Sequence, residues 1–319
     1  MPDLTSIFGS VQWTGAVALG LCYVGAVFGV YLTFRILNFP DLTIEGSFPL
    51  GAGLAGILIV NAGWPHWATL LVALAGGALA GAATGLLATR LKINGLLASI
   101  LVMIALYSIN LRVLGLRSNL PLLDVATIFD PVESWLAALF VGAGGVVQRY
   151  AAIIIFALIT ILLIGGLNWF LHTELGLALR AAGDNEQMAS AQGISVAGMK
   201  ICGLALSNAL IALAGALFAP YQGFADVTIG RGLIVVGLAS VIIGEALFNP
   251  QHLRTAFIAV AAGSVIYRLF VTLALNYTSR IGLQETDLQF VTALIVIVAM
   301  AVPQFRRGVA RGRRPTTDG

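Results

Sequence analysis

Two short segments carry the side chains whose types and spacing suggest chemistry. Phe39-Pro-Asp-Leu-Thr-Ile44 and Phe224-Ala-Asp-Val-Thr-Ile229 share the same residue at four of six positions, at an offset of 185 residues, and Pro65 and Pro250 repeat that offset. Each segment places an Asp-x-Thr immediately before an apolar run: Asp41 and Thr43 in one, Asp226 and Thr228 in the other, with Phe39 and Phe224 alongside. Glu45 follows one turn beyond Asp41. Asp and Thr are ordinary helix N-caps, and capping is the simpler reading. The other reading is that broken helices offer free amides and carboxylates to a polar solute. Glu45 is harder to assign to capping, because ionisable groups inside a bilayer tend to be functional.

A third polar stretch, His172 to Lys200, lies between two long apolar runs. Asp184 is expected to open a short helix of two turns or a little more. Gln187 then serves as reciprocal capping partner and Gly193 as a left-handed stop. That helix presents Met188 and Ala191 ringed by the amides of Asn185 and Gln192. It is either a plain connector or a docking knob for another protein, and the residues alone leave both open.

Both features must be positioned by membrane-spanning helices. Of the 319 residues, 59% are hydrophobic and 10% charged, with a mean hydropathy of +0.97. That excludes an ordinary soluble domain, where about a quarter of residues are charged. A span takes roughly 20 apolar residues. On that basis the chain is an all-α polytopic protein of about nine spans: Val11 to Phe34, Gly46 to Asn61, Ala68 to Thr89, Ile93 to Leu111, Tyr150 to Leu171, Ile201 to Tyr221, Ile229 to Phe248, Leu253 to Leu275 and Leu288 to Val302. Residues 135–148 are short and Gly-rich and are expected to be interfacial or re-entrant. Residues 1–303 form one transmembrane domain, with repeat halves at about 32–114 and 217–302, and residues 304–319 a basic cytoplasmic tail, expected to be disordered. No basic stretch precedes the first run, so it is expected to be retained as a span.

Lysine and arginine placement sets the orientation. With the tail in the cytosol, Arg35, Arg90, Lys92, Arg180, Lys200, Arg254, Arg306, Arg307, Arg311, Arg313 and Arg314 are inside, 11 of the 17 basic residues. The N-terminus is then outside and the polar island cytosolic. The copies are separated by an odd number of crossings, so the halves form an inverted repeat. Arg268, within the eighth span, needs a partner, for which Asp226 and Asp287 are candidates. Glu245 reads as a snorkelling or interface residue.

Several functions are excluded or unsupported. There is no G-x-x-x-x-G-K-[ST] and neither lysine follows a glycine, so any ATP is bound by another chain. His66, His172 and His252 have no metal-ligand spacing, Cys22 and Cys202 sit in apolar runs, and nothing invokes nucleic acid. No catalytic constellation is present, so the chain is not expected to be an enzyme.

Leu179-Arg-Ala-Ala-Gly-Asp-Asn-Glu-Gln-Met-Ala-Ser-Ala-Gln-Gly-Ile194 resembles the cytoplasmic coupling loop of ABC importer permeases of the branched-chain amino acid and ribose type. Phe34-Arg-Ile-Leu-Asn-Phe-Pro-Asp-Leu-Thr-Ile-Glu-Gly-Ser-Phe-Pro-Leu-Gly51 is similar to a segment of the subgroup serving aromatic amino acids such as tryptophan or tyrosine. The likeness extends from about Gly20 to Pro303. It implies a permease in the cell (inner) membrane, pairing with a second copy on a cytoplasmic ATPase dimer and fed by an extracytoplasmic solute-binding protein. By that resemblance Arg180, Asp184, Asn185, Glu186, Met188 and Gly193 belong to the coupling element, and ATP and Mg reside on the partner. An ion-coupled secondary transporter or channel, or a membrane scaffold without transport, are the competing expectations.

Overall fold

The computed structural model describes residues 10–122, 130, 134 and 144–281. The expected ninth span, the basic tail, Asp287 and most of residues 135–148 lie outside the described residues. Within them the chain is almost entirely helical: α1 (Ser10–Cys22), α2 (Val24–Tyr31), a π-helical turn (Leu32–Ile36), α3 (Ile44–Ala62), α4 (His66–Thr89), α5 (Gly95–Val113), α6 (Gly144–His172), α7 (Glu174–Asp184), α8 (Glu186–Ala191), α9 (Val196–Gln222), α10 (Leu233–Phe248) and α11 (Leu253–Ile281). Six of these are long and apolar enough to cross a membrane. The bent pair Trp13–Cys22 and Val24–Ile36, with a 41° break, makes a seventh if it is one span. The expected seventh span is realised as α10, a shorter apolar helix of 16 residues.

Two departures from the expected pattern have local causes. The first span is broken after Cys22 and loosens into the π-turn before the chain leaves the helix. A two-stranded antiparallel ribbon, β1 (Asn119–Pro121) on β2 (Phe224–Asp226), also interrupts the all-helical expectation. Its register sets Asn119 opposite Asp226 and Pro121 opposite Phe224, which ties the end of one apolar series to the second Asp-x-Thr segment.

The core is centred on α9, which packs most extensively against α4 and α3. Lipid tails are as apolar as leucine side chains, so helices associate by close packing more than by exclusion from water. Gly77 and Gly81 of α4 meet the Asn208 and Leu204 carbonyls of α9, and Gly51 of α3 meets that of Ala212, so closely that no Cβ fits. Aromatic side chains fill the adjoining space. Tyr23 stacks on Phe48 at 5.5 Å between ring centroids, and Phe48 meets Phe218 at 5.5 Å. Arg268, for which Asp226 was a candidate partner, instead lies over the Tyr23 ring with its guanidinium carbon 4.9 Å from the centroid.

Candidate functional site

Both Asp-x-Thr segments fold into the same local turn. The Thr43 N–H donates to Asp41 Oδ1 at 2.9 Å, and the Thr228 N–H donates to Asp226 Oδ1 at 2.7 Å. In each the carboxylate bonds the backbone two residues on, which fixes the chain as it turns toward the next helix. Asp41 is not the N-cap residue of α3: Thr43 holds that position, and its side chain makes no cap bond.

The surroundings then diverge. Asp41 and Thr43 have no exposed surface. Asn208 Nδ2 donates to Asp41 Oδ2 at 2.8 Å and to the Leu204 carbonyl at 3.0 Å, while Ser47 Oγ donates to Asn208 Oδ1 at 2.7 Å. The Thr43 and Thr84 hydroxyls pair at 2.6 Å. Phe39 is buried against Gly95 at the start of α5, where its ring leaves no room for a side chain. Asp41 and Thr43 are the polar clasp that joins α3, α4 and α9, through Asn208 and Thr84. In the second segment Asp226 and Phe224 are partly exposed and Thr228 is exposed. Thr228 Oγ1 donates back to Asp226 Oδ1 at 2.6 Å.

Beside the enclosed first segment, Glu45 is partly exposed. It lines a cavity of about 330 Å³ together with Gly46, Pro49, Met103, Ile104, Tyr107, Asn110, Val227 and Arg231. Pro49 has no N–H to give to the carbonyl of Glu45, four residues back, so that carbonyl lacks its usual helical donor. Gly230 fits against it with no space for a Cβ. The carboxylate bonds the same stretch two residues on, accepting the Gly232 N–H at Oε1 over 3.0 Å. Gly232, at φ +76°, is the N-cap of α10, so Glu45 joins the start of α3 to the start of α10. Asn110 Nδ2 donates to the Gly46 carbonyl at 3.0 Å.

The polar island consists of two helices, not one. Asp184 is the last residue of α7, and the short helix α8 is capped by Asn185, whose Oδ1 accepts the Met188 N–H at 3.0 Å. The expected opening at Asp184 with Gln187 as partner is therefore displaced by one residue. Gly193 takes the expected left-handed conformation, φ +83°. Glu186, Gln187, Met188 and Ser190 point outward, Met188 at 60% exposure, while Ala189 is buried. Lys200 Nζ meets Glu186 Oε1 at 2.7 Å, which holds α8 to the foot of α9. Gly183 packs on the Ile36 carbonyl without room for a Cβ, and Leu37 fits over Gly203. A polar recess between α7 and the Leu32–Asn38 stretch contains Arg180, Asp184, Arg35 and Asn38. Arg35 also forms a two-pronged ion pair with Glu245 of α10, with the Nε to Oε1 distance 2.9 Å.

Sequence reasoning missed Asn110, Asn208, Thr84 and Arg231. Asn110 and Asn208 were legible in principle, being amides within apolar runs, where polar side chains are expensive unless bonded. Arg231 carries no local signal that ties it to Glu45, since only the fold brings both to one cavity. Among the described residues no group of three His, Cys, Asp or Glu side chains is placed to hold a metal ion.

A bundle of long apolar helices, centred on one deeply packed helix with interrupted neighbours and a polar loop at one end, is the build of a multi-pass membrane protein. A family described as "Branched-chain amino acid transport system / permease component" matches residues 14–300, and the chain belongs to that family. It is 39% identical over 273 residues to a tyrosine transport system permease protein of Clostridioides difficile, covering 86% of this chain and 85% of that one. An uncharacterized protein, RP368, of Rickettsia prowazekii is 29% identical over 293 residues, with 90% and 95% covered. An autoinducer 2 import system permease protein, LsrC, of Yersinia pseudotuberculosis is 28% identical over 250 residues, with 76% and 62% covered. No solved structure matches the chain. The named relatives are permeases of transport systems, and this chain is a transport component, not an enzyme.

Proposed function

We propose that the chain is the membrane permease of an ATP-driven importer, carrying an amino acid or a related small solute. A second copy completes the pathway, a solute-binding protein delivers cargo outside, and two cytoplasmic ATPase subunits supply the work. In this reading the N-terminus is outside, the tail is cytoplasmic, and the halves related by the 185-residue offset are inverted repeats. Glu45 and the polar residues beside it lie on the solute path.

The observation that carries the proposal is the construction of the island. Met188 stands exposed on a helix capped by Asn185, stopped at Gly193 and braced by Glu186 on Lys200. An exposed methionine ringed by polar side chains suits a protein groove. Its mount connects inward as well. Through Gly183 on Ile36 and Leu37 on Gly203, displacement of α7 bears on the stretch leading to Asp41, Thr43 and Glu45. A short capped element on such a mount can pass force without absorbing it in bending. An ion-coupled carrier would not need it.

The test is the energy source of uptake in cells carrying the whole system. Depleting ATP while preserving the ion gradients should abolish uptake, and an ionophore at constant ATP should leave it intact. The reverse pattern would contradict the proposal in favour of an ion-coupled carrier.

A further inference from the structure

The two Asp-x-Thr segments occupy matching places and are held by different means. At the 185-residue offset the stretch from α1 through the π-turn corresponds to α9, α3 to α10 and α4 to α11. Asn38 at φ +51° and Gly223 at φ +78° open the two segments at the same repeat position. Glu45 lies where the copies meet, its carbonyl packed on Gly230, its own counterpart. The clasp around the first segment has no second copy. The counterparts of Asn208, Thr84 and Ser47 are Tyr23, Leu269 and Gly232; Tyr23 is engaged with Phe48 and Arg268, and the other two have no polar side chain. Residues 224–232 are bonded instead to their own turn and to the stretch around β1, with the Val227 N–H on the Ser118 carbonyl at 3.1 Å and the Leu122 N–H on the Gly223 carbonyl at 2.7 Å. Apart from the continuing backbone of α10, the hydrogen bond that ties them to a long helix, among the described residues, is that of the Gly232 N–H to Glu45. Left-handed glycines stand on both sides of the stretch, Gly223 and Gly232, where glycine changes conformation at little cost. The first copy has Ser47, inside α3, at the second of these positions.

We infer that residues 224–232, with β1, are the gate that moves during transport, that Glu45 is the positioning residue that latches it, and that the first Asp-x-Thr segment moves only as part of the α3–α4–α9 block. Hinges are a few residues at element ends that absorb the backbone change, which Gly223 and Gly232 are placed to do. The bonds of Asp41 to Asn208 and of Thr43 to Thr84 keep the first segment with the block. Arg35 on Glu245 pins the far end of α10, so force arriving through α7 parts block and gate at the start of α10, where one hydrogen bond joins them. Val227, 6% exposed and lining the Glu45 cavity, is uncovered when the gate lifts. Two copies with the same side chains could exchange roles across a cycle; here one copy has the means to hold and the other the means to move. The inference rests on the permease reading above and assigns the moving part of its path.

The experiment uses the complete permease with its ATPase and binding protein in membrane vesicles, with Cys22 and Cys202 replaced by alanine. A Cβ at position 56 would lie 3.5 Å from that of Ala225, within the roughly 3.5–4.5 Å that a disulfide spans. Oxidising the pair Gly56→Cys and Ala225→Cys should pin the gate to α3 and stop ATP-driven uptake of a radiolabelled mixture of L-amino acids, and a reductant should restore it. Either single variant, oxidised alike, should transport. Maleimide labelling is the second readout and needs no cargo, comparing the nucleotide-free complex with the complex trapped by ATP and vanadate. Val227→Cys should label at rates that differ several-fold between the two states, and Thr43→Cys should stay unlabelled in both. Adding Glu45→Ala to Val227→Cys should raise the slower rate by roughly tenfold, the factor carried by one hydrogen bond to a charged group. Glu45→Gln keeps an acceptor for the Gly232 N–H and should leave that rate as it was. Uptake that continues through the oxidised pair, labelling of Thr43→Cys that follows nucleotide as Val227→Cys does, or equal rates with and without Glu45→Ala would overturn the gate and leave the permease reading standing. An unsubstituted complex that transports equally well without ATP would remove the reading beneath it.

Discussion

The two Asp-x-Thr segments begin alike in sequence and in local geometry, and end in opposite environments. Around Asp41 the carboxylate and the Thr43 side chain are enclosed, with Asn208, Ser47 and Thr84 drawn from three helices into one network. Around Asp226 the same turn lies partly in the open, bonded within itself and, at 3.5 Å, to Asn119 across the ribbon. A local motif fixes a turn. Packing decides whether that turn becomes structure or stays accessible. The glycine contacts of Gly77 and Gly81 with α9 bring the helices close enough to enclose the first segment. The second sits where β1 and β2 end and α10 begins, and the close contact there, Gly230 on the Glu45 carbonyl, follows the turn without covering Thr228.

Removing the close packing should erase the contrast most completely. Gly81→Val sets a branched side chain against the Leu204 carbonyl, and overpacking of this kind costs about 1–3 kcal/mol or more. The expected outcome is loss of monodisperse protein in detergent, read by size-exclusion chromatography; a normal profile would mean that the α4–α9 contact is looser than described.

Asp41→Ala should come next. It leaves an Asn208 donor buried without its partner, at a cost of about 1–3 kcal/mol. A fall in the midpoint of thermal unfolding in detergent measures it, accompanied by reduced uptake. An unchanged midpoint would place Asp41 with the accessible segment.

Asn185→Ala removes the side-chain cap of α8, worth about 0.5–2 kcal/mol. Because the helix is short and exposed, global unfolding should hardly move, whereas proteolysis within residues 184–193 should quicken. Equal cleavage rates would show that Glu186 on Lys200 suffices to hold it.

Asp226→Ala is expected to be mildest. Its partners can turn to water, so the midpoint should shift by about 0.5 kcal/mol equivalent or less. A loss equal to that of Asp41→Ala would abolish the distinction between the two segments.

Much of this arrangement was legible in the chain. The long apolar runs located α3, α4 and α5 to within about two residues at each end, and α6, α9 and α11 to within about six, since a span is defined by length and composition. The polar island, its short helix and the turn at Gly193 were legible for the same reason: local chemistry sets them. What escaped depended on distant partners. Asp184 and Asn185 are adjacent and both able to cap. The choice fell to Asn185 because Gly183 lets α7 run on against Ile36. Strands of three residues that pair across a hundred positions leave no periodicity to read. The break after Cys22 lies inside an unbroken apolar run, and the ring that receives Arg268 is Tyr23, over 200 positions away. For Glu45, the sequence suggested a role by depth alone; the cavity, the Gly232 bond and the opposed Arg231 depend on tertiary structure.

In the function we propose, an ATPase grips this permease at Met188 and its capped helix. Co-purification of the tagged chain with its ATPase subunit, comparing wild type with Met188→Asp, tests it most directly. Wild type should bring the ATPase down, and the variant should lose it by roughly tenfold or more, as at an interfacial hot spot, while keeping the same size-exclusion profile in detergent. Undiminished recovery of the ATPase with the variant would contradict the account.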